Sequence, residues 1–203
     1  MRLNDLRGRR CETRKQRRRI VLSCEGEITE IEYFNYLRDL RDDVYVDFVE
    51  NREHKSAPDL VLKDLINYLR TNPLKKNDEA WMVIDRDDWP PKQIEGVIVS
   101  LKNIKTQGEC FLAMTNPKIE FWILLHFEDG NGVSTAIDCD RRLKKKYMPN
   151  YKKHIRNYNN WKDVDCIKKA IERARKLDVE HCEWPQTKGS TLYRLVEKLL
   201  PEV

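Results

Sequence analysis

Carboxylates gather at two points of this sequence. The first is Cys24-Glu25-Gly26-Glu27-Ile28-Thr29-Glu30, the second Ile84-Asp85-Arg86-Asp87-Asp88, and each follows directly on an apolar run. Acids packed together without compensation repel one another and resist ionising, so such clusters point to a divalent cation or a cationic partner that neutralises them. Mg2+ suits carboxylates that leave positions for water and for substrate phosphates. Paired ions of this kind activate a water and stabilise the leaving oxygen of a phosphodiester. The alternative is that these acids are ordinary loop-surface residues.

Three further features bear on the same chemistry. Glu120 is the only charged residue between Ile119 and His126, in a segment otherwise written as core. A buried carboxylate is costly unless paired or metal-bound, so Glu120 is either a further site acid or the partner of Lys118, Arg86 or a helix-end donor. Asn116 precedes Pro117, a pairing that suits a helix cap followed by a proline in the first turn. His126, inside Leu124-Leu125-His126-Phe127, reads as a core histidine. Near the end, Thr187-Lys188-Gly189-Ser190-Thr191 sets a lysine and the hydroxyls of Ser190 and Thr191 before a helix. That is either an anion site or a plain cap. The sequence lacks a Ser/His/Asp order, a nucleophilic cysteine context and a Gly-x-x-x-x-Gly-Lys phosphate loop.

The elements that must position these residues follow from periodicity. Ile20–Cys24, Val44–Val49, Ala80–Ile84 and Glu109–Met114 are expected strands. They alternate with expected helices over Glu27–Asp42, Ala57–Thr71, Lys92–Lys105 and Lys118–Phe127. Alternation of this kind predicts an α/β layer fold with a mainly parallel four-stranded sheet, Rossmann-like, flanked by helices. Ligands of open sheets bind at the carboxyl ends of strands, where both acid clusters fall. After the turn residues Asp129-Gly130-Asn131-Gly132 only helices are expected, over Ser134–Tyr147, Tyr151–Asn157, Trp161–Leu177 and Ser190–Leu200. The predicted organisation is a basic flexible arm over 1–18, an α/β domain over 19–128, and an all-helical C-terminal region over 129–203 packed on it.

The formal net charge of +5 conceals a strong segregation. Residues 1–19 carry +7 and residues 141–176 carry +11, whereas 20–140 carry −11. Basic runs are either solvated helix faces or arms that hold a polyanion, since Lys and Arg neutralise phosphate independently of sequence. The second reading makes Arg17, Arg18, Arg19, Arg141, Arg142, Lys144, Lys145 and Lys146 candidate nucleic-acid contacts. The six cysteines show no Cys-x-x-Cys pair and are expected to be reduced thiols. No apolar run is long enough to span a membrane, and the arginine-rich start has no apolar stretch after it. The expectation is a soluble cytoplasmic protein without a membrane partner.

Glu25-Gly26 at the end of one strand and Asp85-Arg86-Asp87 at the end of a later one resemble the Toprim domain of topoisomerases, primases and OLD-type nucleases. The combination of Cys24-Glu25-Gly26-Glu27-x-Thr29-Glu30, Ile84-Asp85-Arg86-Asp87, Asn116-Pro117-x-x-Glu120-x-Trp122-x-Leu124-Leu125-His126-Phe127 and Thr187-x-Gly189-Ser190-Thr191 is similar to the RloB-like family. That family is associated with restriction loci, phage defence and abortive infection. The resemblance implies a Toprim-type site with Glu25 as metal ligand or general acid/base, Asp85 and Asp87 as Mg2+ ligands, and Glu30 as an additional acid. With Glu120 these form the candidate metal set, and Glu25, Asp85 and Asp87 the candidate catalytic set. Asn116, Lys188, Ser190 and Thr191 are candidate supporting residues. The function expected is a Mg2+- or Mn2+-dependent nuclease acting on DNA or RNA, with other defence proteins as further partners. The competing expectation keeps the fold without catalysis, as a nucleic-acid or nucleotide binding module of a defence complex.

Overall fold

A computed structural model describes residues 17–51 and 57–201. Apart from Arg17 and Arg18, the expected basic arm lies outside the described residues. Five strands, β1 (Arg18–Cys24), β2 (Val44–Phe48), β3 (Glu79–Asp85), β4 (Glu109–Asn116) and β5 (Gly189–Ser190), form one sheet in the order β2-β1-β3-β4-β5. β1 to β4 are parallel and β5 runs antiparallel to β4.

The expected four-stranded sheet therefore has a fifth strand, drawn from the region expected to be all helical. Two residues offer few backbone groups for pairing, and side chains supply the rest. The Thr115 and Ser190 hydroxyls lie 2.8 Å apart, Met114 N–H donates to Thr191 Oγ1 at 3.0 Å, and Thr191 N–H donates to the Met114 carbonyl at 2.9 Å. All of these groups are buried, where an unmade hydrogen bond costs roughly 1–3 kcal/mol.

The central strands are covered on both faces, as their continuous apolar runs require. Ile20, Leu22, Trp81, Val83 and Ala113 face one layer with helices α1 (Thr29–Arg38), α4 (Ile119–Leu125), α5 (Ala136–Arg142), α6 (Val164–Leu177) and α7 (Tyr193–Leu199). Val21, Ala80, Met82, Ile84, Leu112 and Met114 face the other, with α2 (Pro58–Thr71) and α3 (Pro91–Lys102). The strand period of two thus sorts alternate side chains into two cores. The thicker layer centres on Tyr33 of α1, which stacks on Trp161 and meets Trp122 and His126 edge-on. Among the described residues no helix is long and apolar enough to cross a membrane, and Cys24, Cys110, Cys139, Cys166 and Cys182 are free thiols.

The region after β4 departs from its expected helices in two places. Ser134–Tyr147 divides into α5 and a π-helical turn over Leu143–Tyr147. Of Tyr151–Asn157 only a 3-10 turn over Ile155–Asn157 is helical, because Asn150 and Lys153 take left-handed backbone conformations that no helix continues through. Gly130, in the turn after α4, has φ +68°, and a side chain there would meet the Phe121 ring.

The strand order carries the functional consequence. From β1 the chain crosses to β2 on one side and then returns to place β3 on the other, with Cys24 opposite Val83. Such a reversal opens a crevice beyond the carboxyl ends of the two central strands. Glu25 and Asp85 stand on its two sides.

Candidate functional site

Three chain segments meet at this crevice through their own carboxylates. Glu25 continues the ladder beyond β1, donating its N–H to the Val83 carbonyl at 2.9 Å. Its Oε2 accepts the Asp85 N–H at 2.9 Å, and Asp85 Oδ1 accepts the Ile119 N–H at the start of α4 at 2.8 Å. That bond, and not Asn116, serves the first turn of α4, which begins one residue after the expected Lys118. Arg86 N–H donates to the Thr115 carbonyl and Asp87 N–H to the Pro117 carbonyl, so the turn after β3 is fastened to the end of β4. Asp87 has φ +37° within that turn, a conformation Asp tolerates better than bulkier residues.

Glu30, in the first turn of α1, folds back over Gly26. A Cβ on residue 26 would overlap the Glu30 carboxylate, so glycine here lets that carboxylate lie over the turn. Glu25, Glu30, Asp85, Asp87 and Glu120 line a single cleft of about 460 Å³, together with Glu27, Thr29, Lys118 and Lys153. Glu30 and Glu120 are buried, at 5% and 3% exposure.

Burial dominates the electrostatics. It raises Glu25 to about 7, with repulsion from Asp87 and Glu30 adding to it and the Asp85 N–H opposing it. Burial likewise raises Glu30 to about 7, and repulsion from Glu120 contributes. Asp85 is pushed well above the usual carboxylate range by burial and then by Glu30, Glu25 and Glu120. Asp87 is raised by burial and by Asp88. Among the described residues none of Glu25, Glu30, Asp85 and Asp87 has a cation within ion-pair distance. Glu120 differs, with Lys118 Nζ at 3.4 Å from Oε2 and the Tyr151 hydroxyl 3.2 Å from Oε1.

The other end of the sheet shows what compensated acids look like in the same protein. Glu79, 5% exposed, accepts from Lys198 Nζ at 2.8 Å, from Trp81 Nε1 at 2.8 Å and from Arg18. Asp78 pairs with Arg19 and accepts the Lys75 N–H at 2.9 Å. Asp78 and Glu79 both have cations there, while among the described residues Glu25, Glu30, Asp85 and Asp87 lack one.

The donor set therefore fits a divalent cation in chemistry: hard carboxylate oxygens, partly buried and uncompensated. Among the described residues no three His, Cys, Asp or Glu side chains are arranged to hold a metal ion as they stand. Glu25 and Asp85 each direct one oxygen to a backbone N–H, and mutual repulsion keeps like charges spread.

The remaining candidates fall elsewhere. Asn116 Nδ2 donates to the Pro185 carbonyl at 3.3 Å, and Lys188 Nζ donates to the Gly130 carbonyl at 2.9 Å. Ser190 and Thr191 lock β5 to β4, so Thr187–Thr191 fastens the sheet and does not line the carboxylate cleft. Arg18 and Arg19 lie at the start of β1, opposite the cleft, engaged by Glu79 and Asp78; Arg17 is exposed beside them. Arg141 pairs with Asp138, and Arg142 and Lys146 share Glu128. Lys144 and Lys145 are exposed and, among the described residues, have no ion-pair partner. His126 is buried, its ring nitrogens 3.1 Å from the Trp122 carbonyl and 3.2 Å from the Tyr33 hydroxyl, and burial lowers it to about 4.

Two cleft residues escape sequence reasoning. Tyr151 joins the site by its hydroxyl, 3.0 Å from Thr29 Oγ1 and 3.2 Å from Glu120 Oε1. Lys153 lines the cleft while Thr29 Oγ1 donates to its carbonyl at 2.8 Å. Both stand more than a hundred residues from Thr29 in sequence, inside a basic stretch whose lysines look alike. The one local sign is that Tyr151 is an aromatic followed directly by two lysines.

No curated protein and no solved structure gives a match to the chain. A family model described as RloB-like protein matches residues 20–199, a span that contains every carboxylate of the cleft. The chain belongs to the RloB-like family.

Proposed function

We propose that this protein is a divalent-metal-dependent phosphodiesterase of Toprim-like descent, a nuclease acting on DNA or RNA in phage defence. One observation carries the reading. Among the described residues Glu30, buried, and Glu25 and Asp85, half-buried, meet at the crevice between β1 and β3 without a cationic partner, while the acids at the opposite end of the same sheet are neutralised by Arg18, Arg19 and Lys198.

Glu25, Asp85 and Asp87, supplemented by Glu30 or Glu120, would hold Mg2+ or Mn2+. When bound, such an ion would polarise a phosphoryl oxygen and make a water easier to deprotonate to the attacking hydroxide. Glu25 has Oε2 fixed by the Asp85 N–H, and among the described residues Oε1 accepts no hydrogen bond. With Oε1 left open, Glu25 would be the group to take a proton from water or give one to a leaving oxygen. Asp85, held by Ile119 N–H, fixes the spacing of β3 against α4. Lys118, between Glu120 and Asp140, keeps Glu120 in place at the cleft wall.

A polyanion would leave the cleft along α5. Asp140 faces Lys118, and Lys144 and Lys145, exposed in the turn that follows α5, have no ion-pair partner among the described residues. They supply sequence-independent phosphate affinity. Arg18 and Arg19 are not available for it, being engaged at the far end.

Cleavage of labelled single- and double-stranded DNA and RNA with Mg2+ or Mn2+ tests the assignment. Turnover that is lost in Glu25→Gln and in Asp85→Asn is expected. Turnover unchanged in both variants overturns the site, and salt-sensitive binding without turnover in either metal replaces the nuclease by a binding module.

A further inference from the structure

We propose that Lys153 is the phosphate-receiving cation of this cleft, the group that holds a backbone phosphate of a polynucleotide against the carboxylates. The proposal rests on the phosphodiesterase reading and names a residue that the reading does not use.

Among the described residues two cations line the cleft, Lys118 and Lys153. Lys118 is committed to Glu120 and Asp140. Nearby Arg86 lies 5.1 Å from the Trp184 ring and donates to backbone carbonyls, and His154 and Arg156 both engage Glu32. Lys153 is exposed, and its ammonium makes no ion pair or hydrogen bond among the described residues. Its charge nonetheless acts on Glu25, Glu30 and Asp87. A cation close enough to feel three carboxylates, yet paired with none, is placed for an anion that comes from outside.

The backbone supports the same conclusion. Lys153 has φ +67°, a conformation that favours glycine and disfavours a long side chain. It is held there from both sides. Tyr151 is buried against Thr29 and Glu120, Thr29 Oγ1 donates to the Lys153 carbonyl, and Glu32 accepts from His154 Nδ1 and Arg156 N–H, each at 2.9 Å. Residues in this region persist where surrounding contacts impose them, and they cluster at functional sites. Here the imposed conformation turns the residue between two anchor points on α1 toward the cleft. A phosphate entering a cleft lined by acidic groups meets negative charge there, and a rim ammonium offsets it as a point charge.

The test separates the side chain from the fold. Glycine at 153 relieves the backbone, so Lys153→Gly is expected to melt at or above the wild-type temperature. Anisotropy of labelled single-stranded and duplex oligonucleotides, titrated in Ca2+ and in EDTA across a salt series, should show weaker binding by this variant. The slope of log K against log salt should shrink by about 0.7 for a single strand or about 0.9 for duplex DNA, the loss of one phosphate contact. Lys153→Arg should restore both affinity and slope. An unchanged salt slope in Lys153→Gly overturns the proposal while leaving the nuclease reading standing. Absence of oligonucleotide binding by the wild-type protein overturns both.

Discussion

Replacing Glu30 by glutamine should make the metal-free protein more stable, and only at high pH. Glu30 is 5% exposed and its carboxyl is raised from the ordinary 4.5 to about 7, first by burial. The folded state therefore binds its proton more tightly than the unfolded chain does. Between roughly pH 4.5 and 7 the folded state carries the extra proton, so stability falls as pH rises through that window. The contribution is fully present below the unfolded value and lost above the folded one. At about 1.4 kcal/mol per unit, the difference amounts to roughly 3 kcal/mol in order of magnitude. Glutamine has no proton to lose, and its carboxamide oxygen keeps an acceptor near the Gly26 N–H. Glu30→Gln should thus lie within about 1 kcal/mol of wild type near pH 5 and exceed it by roughly 2–3 kcal/mol near pH 8.5. Its lost charge also relieves Glu25 and Asp85, both raised partly by Glu30. Urea unfolding in EDTA across that pH range measures the difference. A stability change of constant size at all pH values, or a variant less stable at high pH, would refute the reasoning.

The same ledger has the opposite sign at the other end of the sheet. Glu79→Gln removes the charge shared by Arg18 and Lys198 and should destabilise by roughly 2–4 kcal/mol near pH 7 in urea unfolding, since it breaks a compensated buried cluster. Gly26→Ala forces a methyl against the Glu30 carboxylate, which must swing out of the cleft. Thermal melts with and without Mn2+ should show a small change, about 1 kcal/mol or less, in the metal-free protein, and a smaller metal-dependent rise than wild type.

The parallel part of the fold was legible because its strands and helices carry unbroken periodicities. Ile20 to Leu22 and Ala80 to Ile84 are apolar throughout, and Tyr33, Phe34 and Leu37 mark one face of α1. β5 was not legible. Two residues have no period, and their pairing depends on Thr115, Ser190 and Thr191 meeting across a long stretch of chain. The helical expectation for Tyr151–Asn157 failed over its first half because Thr29 holds the Lys153 carbonyl and Glu32 holds His154 and Arg156, tertiary contacts that no local pattern reports.

The carboxylates of the cleft were readable as types at strand ends, and the structure brings Glu25, Glu30, Asp85, Asp87 and Glu120 to one cavity. Their partners were less so. Lys118 could be weighed as a neighbour of Glu120 by proximity in sequence, whereas Tyr151 and Lys153 enter through tertiary contacts alone. Counting charge also blurred two kinds of basic residue. Arg18 and Arg19 raise the positive total of the N-terminal stretch but are consumed by Glu79 and Asp78, which belong to the acidic centre. In α6, Ile167, Ala170, Ile171 and Ala174 turn inward, leaving Lys169, Arg175 and Lys176 on its exposed side. Segregation along the sequence is not segregation in space.

Crystals soaked in Mn2+ and measured at its absorption edge test the central claim, that the acids beyond β1 and β3 form one divalent-cation site. An anomalous peak in the cleft, ligated by Glu25 and Asp85 with Asp87, Glu30 or Glu120 completing the set, is the predicted result. A cleft without a peak at saturating Mn2+, or a peak ligated by neither Glu25 nor Asp85, would contradict it.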